Sequence, residues 1–562
     1  MSREVRVWAP DAHDVAVEGV AMKGPDERGW WTATIDDGVT RYSFSVDGSP
    51  PRPDPRSAWQ PEGVHGQSAF VDHDAFRWAD GGWRPPPLAE AVIYELHVGT
   101  FSGAGTFDGV VEHLDHLADL GVTHVELMPV AEFPGRWGWG YDGVDLYAPH
   151  QAYGGPQRLK ALVDACHARG LAVLLDVVYN HLGPSGNYLG RFGPYFTDRY
   201  ATPWGAAVNL DGAYSDEVRT FFVDNARMWV RDYHVDGLRL DAVHAILDTS
   251  ATHLLEELRA EVPPHAVLIA ESDLNDPRLV RDAERGGYGL DAQWSDDFHH
   301  AVHALLTGER RGYYADFGST ADVAKALRQA YVYDGGYSEH RRRRHGRSPA
   351  GIPASRFLGY AQTHDQVGNR AQGDRLSHLV SPGRLRAAAA LTLCSPFVPM
   401  LFQGEEWGAS TPFQYFTDHD DAALGRSVSE GRRREFAAFG WKPEDVPDPQ
   451  DPATFERSRL DWAEPGREPH ASVLDWHRRL IALRREHRLH ERGVEVHHDE
   501  HARWLVLDRG TVVMAVNAGD EPVEVPIGDG HTGNAVLVDG DVDVSPTGTT
   551  ARLGPDSVVV LG

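Results

Sequence analysis

Arg239 and Asp241 stand two residues apart in the stretch Asp236-Gly237-Leu238-Arg239-Leu240-Asp241. A strand alternates its faces with period two, so this spacing points both side chains one way and Leu238 and Leu240 the other. A guanidinium beside a carboxylate holds it ionised by charge and hydrogen bonding. An ionised carboxylate at the mouth of a parallel strand suits a nucleophile for sugar chemistry, although the pair alone reads equally as a structural ion pair. Three further apolar runs end in comparable chemistry: Asp176-Val177-Val178-Tyr179-Asn180-His181, Ile269-Ala270-Glu271-Ser272-Asp273 and Gln362-Thr363-His364-Asp365-Gln366. Carboxylates at separate strand ends, with two histidines and an arginine, are costly to bury without a use.

Retaining glycoside hydrolysis uses such a set. One carboxylate attacks the anomeric carbon, and a second protonates the leaving oxygen and then activates water. Asp241 is the expected nucleophile. Glu271 follows the apolar run Val267-Leu268-Ile269-Ala270, where desolvation raises a carboxyl toward the range a general acid needs. Asp365, His181 and His364 remain to hydrogen-bond the hydroxyls of the distorted ring. The histidines are scattered over separate strand ends, so neither a metal nor another cofactor is expected.

Bringing these ends together requires parallel strands. Eight apolar runs qualify: Ala91–His97, Val122–Met128, Leu171–Val178, Gly237–Asp241, Val267–Glu271, Leu290–Trp294, Phe357–Thr363 and Phe397–Phe402. Separated mostly by helix-like segments, they predict an α/β fold, a (β/α)8 TIM barrel. Helical periodicity covers Val110–Leu120, Gln157–Arg169, Asp216–Asp232 and Thr249–Val262, with Gly121 and Gly170 as terminating glycines. The barrel domain spans residues 86–489. Before it, residues 1–85 hold short strands (Val5–Trp8, Val15–Val17, Trp30–Thr34, Arg41–Val46) that predict a β-sandwich resembling a carbohydrate-binding module, its aromatics either core or sugar platform. Pro-rich stretches, Ser49–Pro61 and Pro85–Pro87, read as linkers. After the barrel, residues 490–562 return to strands (Trp504–Leu507, Val512–Val516, Val558–Leu561) and predict a second β-sandwich. Residues 180–215 are expected as a long loop on the active-site face. Arg341–Arg344, inside 333–353, reads as a solvated loop or as a patch docked on carboxylates, with no role assigned.

At 562 residues the chain exceeds one compact core. Its formal net charge of −29 argues against nucleic acid or an anionic membrane as partner. No apolar run reaches membrane-spanning length, the first residues run into strand-like alternation with no apolar signal core, and Cys166 and Cys394 read as buried thiols. A cytoplasmic location is the expectation.

Asp176–His181, Gly237–His244, Ala270–Asp273 and Thr363–Asp365 together resemble, in order and at the right strand ends, the four signature regions of the α-amylase family of glycoside hydrolases. That resemblance implies nucleophile, general acid/base and transition-state stabiliser at Asp241, Glu271 and Asp365. It implies sugar support from Arg239, His181 and His364, and a stacking aromatic at Tyr141. His244 stands where many amylases carry a lysine, which implies a different leaving-group site. The segments Asn180–Tyr188, Gly193–Thr197, Thr202–Gly205, Glu271–Pro277 and Gly404–Phe413 resemble the branch that cuts α-1,4-glucans beside a terminal trehalose. The implied substrate is malto-oligosyltrehalose, and a functional link to a malto-oligosyltrehalose synthase is implied with it. Tyr188, Tyr195, Phe196 and Trp204 are available to wall the leaving-group side or to pack the loop, with Trp204 the chosen contact. Glycogen branching or debranching shares the same motifs, and a non-catalytic amylase-like binding protein would lack the carboxylates present here. A structural calcium beside Asn180, found in many amylases, stays open.

Overall fold

The computed structural model describes residues 2–437, 441–528 and 535–562. Its centre is a closed barrel of eight parallel strands: β1 (Ile93–Leu96), β2 (His124–Leu127), β3 (Ala172–Val177), β4 (Gly237–Leu240), β5 (Val267–Ala270), β6 (Ala292–Trp294), β7 (Phe357–Tyr360) and β8 (Val398–Phe402). Each strand lies next to its sequence neighbour, and β8 closes on β1. All eight apolar runs read from the sequence supply one strand apiece. Six of them stop short of the expected carboxyl end, the sixth and eighth reaching Trp294 and Phe402 as read, so Asp241 and Glu271 each sit one residue beyond the ladder. Register then makes them neighbours. Leu240 pairs with Ala270, and the Glu271 amide donates to the Leu240 carbonyl at 3.0 Å.

Several expected elements differ. The helix expected over Val110–Leu120 is two, Phe107–Val111 and Leu114–Leu120, the second ended by Gly121 at φ 96°. The helix expected from Thr249 begins at Leu254, because the Asp248 carboxylate accepts the Ser250 and Leu254 amides and holds the intervening residues in a turn. Arg41–Val46 divides into Arg41–Tyr42 and Phe44–Val46, which pair with different strands. The two expected loops are partly strand. Phe196–Thr202 pairs with Gly205–Val208, and Asp334–Ser338 with Arg343–Gly346.

Before the barrel, Ser2–Trp8 pairs with Trp30–Asp36, and Val15–Val17 lies between Val20–Ala21 and Phe44–Val46. The Pro-rich segment after it is a docked strap rather than a free linker. Asp54 is buried and accepts the Tyr42 hydroxyl at 2.7 Å, while Arg56 donates to the Tyr147 hydroxyl and to Asp224, both at 2.9 Å. After the barrel, a five-stranded sheet and a three-stranded sheet enclose Val506, Val513, Val525, Leu553 and Val559. Both cysteines are buried free thiols. Among the described residues no helix is long and apolar enough to cross a membrane.

Arg484 ties the segment entering β8. Its buried guanidinium donates to the carbonyls of Leu393 and Ser395 at 2.9 Å and of Phe397 at 2.6 Å. Arg484→Met leaves those three carbonyls unpaired, and each buried orphan costs about 1–3 kcal/mol. The expected result is a loss of about 3 kcal/mol or more in denaturant unfolding. An unchanged midpoint would show that water or local relaxation replaces the guanidinium.

Candidate active site

Arg239, fully buried on β4, is the hub. Its Nη1 donates to Asp241 Oδ1 at 2.7 Å and to Asp176 Oδ1 and Oδ2 at 2.9 and 2.8 Å, and its Nη2 lies 3.6 Å from Glu271 Oε2. The last distance is an ion pair too long to be a hydrogen bond. The guanidinium stacks over the Trp294 ring at 4.4 Å from its centroid, which fixes its plane. One cation therefore stands among three carboxylates from β3 and from the ends of β4 and β5.

Glu271 takes its hydrogen bond from an unusual place. Ala242, just past β4, adopts φ 40° and ψ 50°, a left-handed conformation rare for a residue with a Cβ. Its amide donates to Glu271 Oε2 at 2.7 Å. A strained backbone at the rim is justified by aiming that amide. Burial pushes the Glu271 carboxyl up to about 8; Arg239 opposes this, while Asp241, Asp296 and Asp365 reinforce it. Burial likewise lifts Asp176 to about 6 against the pull of Arg239.

Asp365 comes from the first turn of the short helix after β7 and is 42 % exposed at its side chain, the most open of the three acids singled out. His364 Nε2 lies 3.5 Å from its Oδ1, and the Asn369 amide donates to it at 3.2 Å. Tyr141 joins the set: its hydroxyl donates to Asp176 Oδ2 at 2.6 Å and meets His364 Nε2 at 2.8 Å, with the two rings stacked. His181 bonds the Tyr141 carbonyl through Nε2 at 3.0 Å, and burial lowers its pKa. Asp241, Glu271, Asp365, Tyr141, His181, Arg239 and His364 thus gather at one end of the barrel.

The loop residues separate into two groups. Trp204, at the tip of the 196–208 hairpin, lies parallel to the His181 ring at 4.8 Å and stays 47 % exposed, so it offers an aromatic face at the site's edge. Tyr188 instead bonds Arg52, and buried Tyr195 packs edge-on against Trp8. Both fasten the loop to the N-terminal sheets, whose aromatics Trp8, Trp30 and Trp31 are themselves buried. Phe196 packs partly buried against the core. His244 is exposed on the turn after Ala242, near enough to Asp273 to help hold that carboxyl below its usual range. Arg341 from the polybasic run bonds the same Asp273 at 2.9 Å, so part of that run docks on a carboxylate.

Sequence reasoning passed over Glu95, Glu126 and Asp296. Glu95 and Glu126 lie mid-strand on β1 and β2, fully inside the barrel, and Asp296 accepts the Tyr360 hydroxyl beside Glu271 and is pushed by burial up to about 6. For Glu95 and Glu126 the available signal was a single acid interrupting an apolar strand, as in Tyr94-Glu95-Leu96 and Val125-Glu126-Leu127. Two H-x-x-x-H spacings also occur, but in His299 to His303 the first bonds Ala361 and Tyr314 and the second Glu309, while His497 and His501 are exposed in the C-terminal domain. Neither Asn180 side-chain atom has a protein hydrogen bond, yet no group of three His, Cys, Asp or Glu able to hold a cation exists among the described residues.

Beyond Asp365 a cavity of about 800 Å³ opens, lined in part by Tyr313, Tyr314, Asn369, Arg370 and Trp441. Asn369 touches both this cavity and Asp365. Aromatic faces with paired charges suit a sugar chain.

A model of the α-amylase catalytic domain matches residues 73–194, and a domain of unknown function, DUF3459, matches 490–560. The malto-oligosyltrehalose trehalohydrolase of Arthrobacter ramosus is 52% identical over 100% of both chains. That of Mycobacterium tuberculosis H37Rv is 51% identical over 93% of this chain and 94% of its own. A 1,4-alpha-glucan branching enzyme of Corynebacterium jeikeium is 28% identical over 72% of this chain and 60% of its own. Among solved structures, one from Salmonella typhimurium named after alpha amylase superposes with TM-score 0.89 at 37% identity, covering 100% of this chain and 97% of that one. A Paenibacillus barengoltzii pullulanase complexed with maltotriose gives 0.72 at 21% identity, covering 100% and 94%, and shares the fold.

Proposed function

This chain belongs to the malto-oligosyltrehalose trehalohydrolases of the α-amylase family, and from that premise we infer a retaining glycoside hydrolase that releases trehalose from malto-oligosyltrehalose. The observation that carries the chemistry is one guanidinium, Arg239, shared by Asp241 and Glu271 at the ends of adjacent strands. Its Nη1 holds the Asp241 carboxyl group by a 2.7 Å hydrogen bond, while burial lifts Glu271 toward the protonated form.

In the proposed reaction Asp241 attacks the anomeric carbon of the glucose preceding the trehalose unit. Glu271 gives its proton to the departing oxygen, and trehalose leaves with that oxygen as its hydroxyl. A glycosyl ester on Asp241 remains. Water then attacks the same carbon, Glu271 takes the water's proton, and the shortened malto-oligosaccharide departs with Asp241 and Glu271 restored. Asp365, His364, His181 and Tyr141 bind the ring undergoing attack, and Asp176 holds Arg239 and Tyr141 in place. The loss of Arg239's support sets a lower pH limit, because Asp176 takes up a proton at about 6 and gives up its grip on the guanidinium.

Trp204 is proposed as the face on which the leaving disaccharide stacks, with His244 and Asp273 on the same rim. The substrate's α,α-1,1 terminus must be built by another enzyme, which supports the functional link to a malto-oligosyltrehalose synthase.

Incubation with maltosyltrehalose and with maltotetraose, followed by product analysis, tests this reading. Maltosyltrehalose is expected to be cleaved with kcat/KM about 100-fold higher or more, giving trehalose and maltose. Equal values on the two substrates, or longer glucans among the products, would point instead to an amylase or a branching enzyme. Trp204→Ala is expected to lower kcat/KM on maltosyltrehalose about tenfold and to narrow its preference over maltotetraose. An unaltered preference would place trehalose recognition elsewhere.

A further inference from the structure

We propose that Glu95 is a positioning residue that keeps both ring nitrogens of His364 protonated, making His364 a buried cation beside Asp365. The proposal deepens, and rests on, the assignment of this pocket as the sugar-cleaving site.

Hydrogen-bond directions carry the argument. Tyr141 has a single hydroxyl proton, and it is committed to Asp176 Oδ2 at 2.6 Å. The 2.8 Å contact between the Tyr141 oxygen and His364 Nε2 therefore needs its proton from the ring. The other ring nitrogen, Nδ1, faces Glu95 Oε1, and an ionised carboxylate can only accept. Both nitrogens must then carry hydrogen. The second Glu95 oxygen accepts the His364 backbone amide at 3.0 Å, so the carboxylate grips residue 364 at two points and leaves the ring little freedom. Both side chains are 1 % exposed, so no solvent competes for these bonds.

The surrounding charges agree. Glu95 from β1 and Asp365 from the ring's own helix favour the cation. Burial and Arg239 from β4 oppose it, and the balance pushes the imidazole up to about 9. Asp176 from β3 and Glu126 from β2 also face the ring; Glu126 is driven far above the usual carboxylate range by burial and by Glu95 and Asp176. His97, just past β1, is held neutral by burial, down to about 3. Trp139 and Trp294 meet the His364 ring at their edges without supplying charge. Glu95 is thus the anion in direct contact with Nδ1, and its removal leaves desolvation dominant. A neutral ring has one hydrogen fewer for Tyr141, Asp365 and the sugar hydroxyls between them.

The test is side-chain NMR of protein labelled with ¹⁵N-histidine, the His364 signals identified by their loss in His364→Asn. In the native protein at pH 7 both ring nitrogens are expected as N–H, and a single N–H would overturn the proposal without any variant. In Glu95→Gln one ring proton is expected to be lost at pH 7. On maltosyltrehalose, kcat is expected to fall about 100-fold with KM changed little. Glu95→Asp should restore part of both. Retention of both ring protons in folded Glu95→Gln, or loss of one with kcat unaltered, would refute a positioning role. The spectra are recorded without sugar, so failure of the trehalose-releasing reading would leave them standing.

Discussion

Asp241→Ala is expected to lower kcat on maltosyltrehalose by about 10⁴-fold or more while the protein stays folded. The chemical half follows from losing the carboxylate proposed to form the ester. The structural half follows from how Arg239 is held. Its Nη1 keeps both bonds to Asp176 when Asp241 is removed, so the buried guanidinium is not left unpaired. Melting should stay within a few degrees of native. Azide, small enough to enter the space vacated by the carboxylate, should restore some turnover and give a glycosyl azide of inverted configuration. Wild-type kcat in clean Asp241→Ala would remove Asp241 from the mechanism. Rescue with retained configuration would show that another nucleophile acts.

The barrel was legible because parallel strands covered on both faces read as largely apolar runs, and the polar residues at the ends of four of them mark the open face. What the sequence could not display was how far each strand stays in the ladder. β4 ends at Leu240 and β5 at Ala270, and the single-residue overhang puts Asp241 beside Glu271. The left-handed turn at Ala242 was equally hidden, since alanine gives no sign of positive φ. The floor beneath the acids was missed for a different reason. Glu95 and Glu126 sit inside apolar strands, and reading strand ends alone leaves them out. Local propensity also lost to tertiary capture at Asp248, whose bonds to Arg219 and to two amides delay a helix that periodicity alone would start earlier. In the loop after β3, the aromatics told little by type. Tyr195 and Trp204 look alike in sequence, yet one is clamped against Trp8 and the other left open over His181.

Glu271→Gln is expected to lower kcat on maltosyltrehalose by about 10³-fold, within the span general acid catalysis contributes. The amide keeps the size of the side chain and can still accept the Ala242 amide, so the strained turn has no cause to relax. What goes is the proton for the leaving oxygen and, in the second half-reaction, the base for water. A maltosyl fluoride separates the two. Fluoride departs without protonation, so the first step should proceed in Glu271→Gln and the glycosyl ester on Asp241 should accumulate, visible by mass spectrometry of the intact protein. The pH dependence supplies the sign. Glu271 must be protonated to act as acid, and burial among Asp241, Asp296 and Asp365 sets its pKa at about 8, so native kcat/KM should hold up to that region and fall above it. Glu271→Gln should lose that alkaline limb, its residual rate running flat from pH 7 to 8.5. Asp241→Asn, by removing the neighbouring negative charge, should move Glu271 downward, which titration by difference infrared spectroscopy can read without turnover. If the alkaline limb survives in Glu271→Gln, the proton donor lies elsewhere, and buried Asp296, held near 6 beside it, becomes the group to replace.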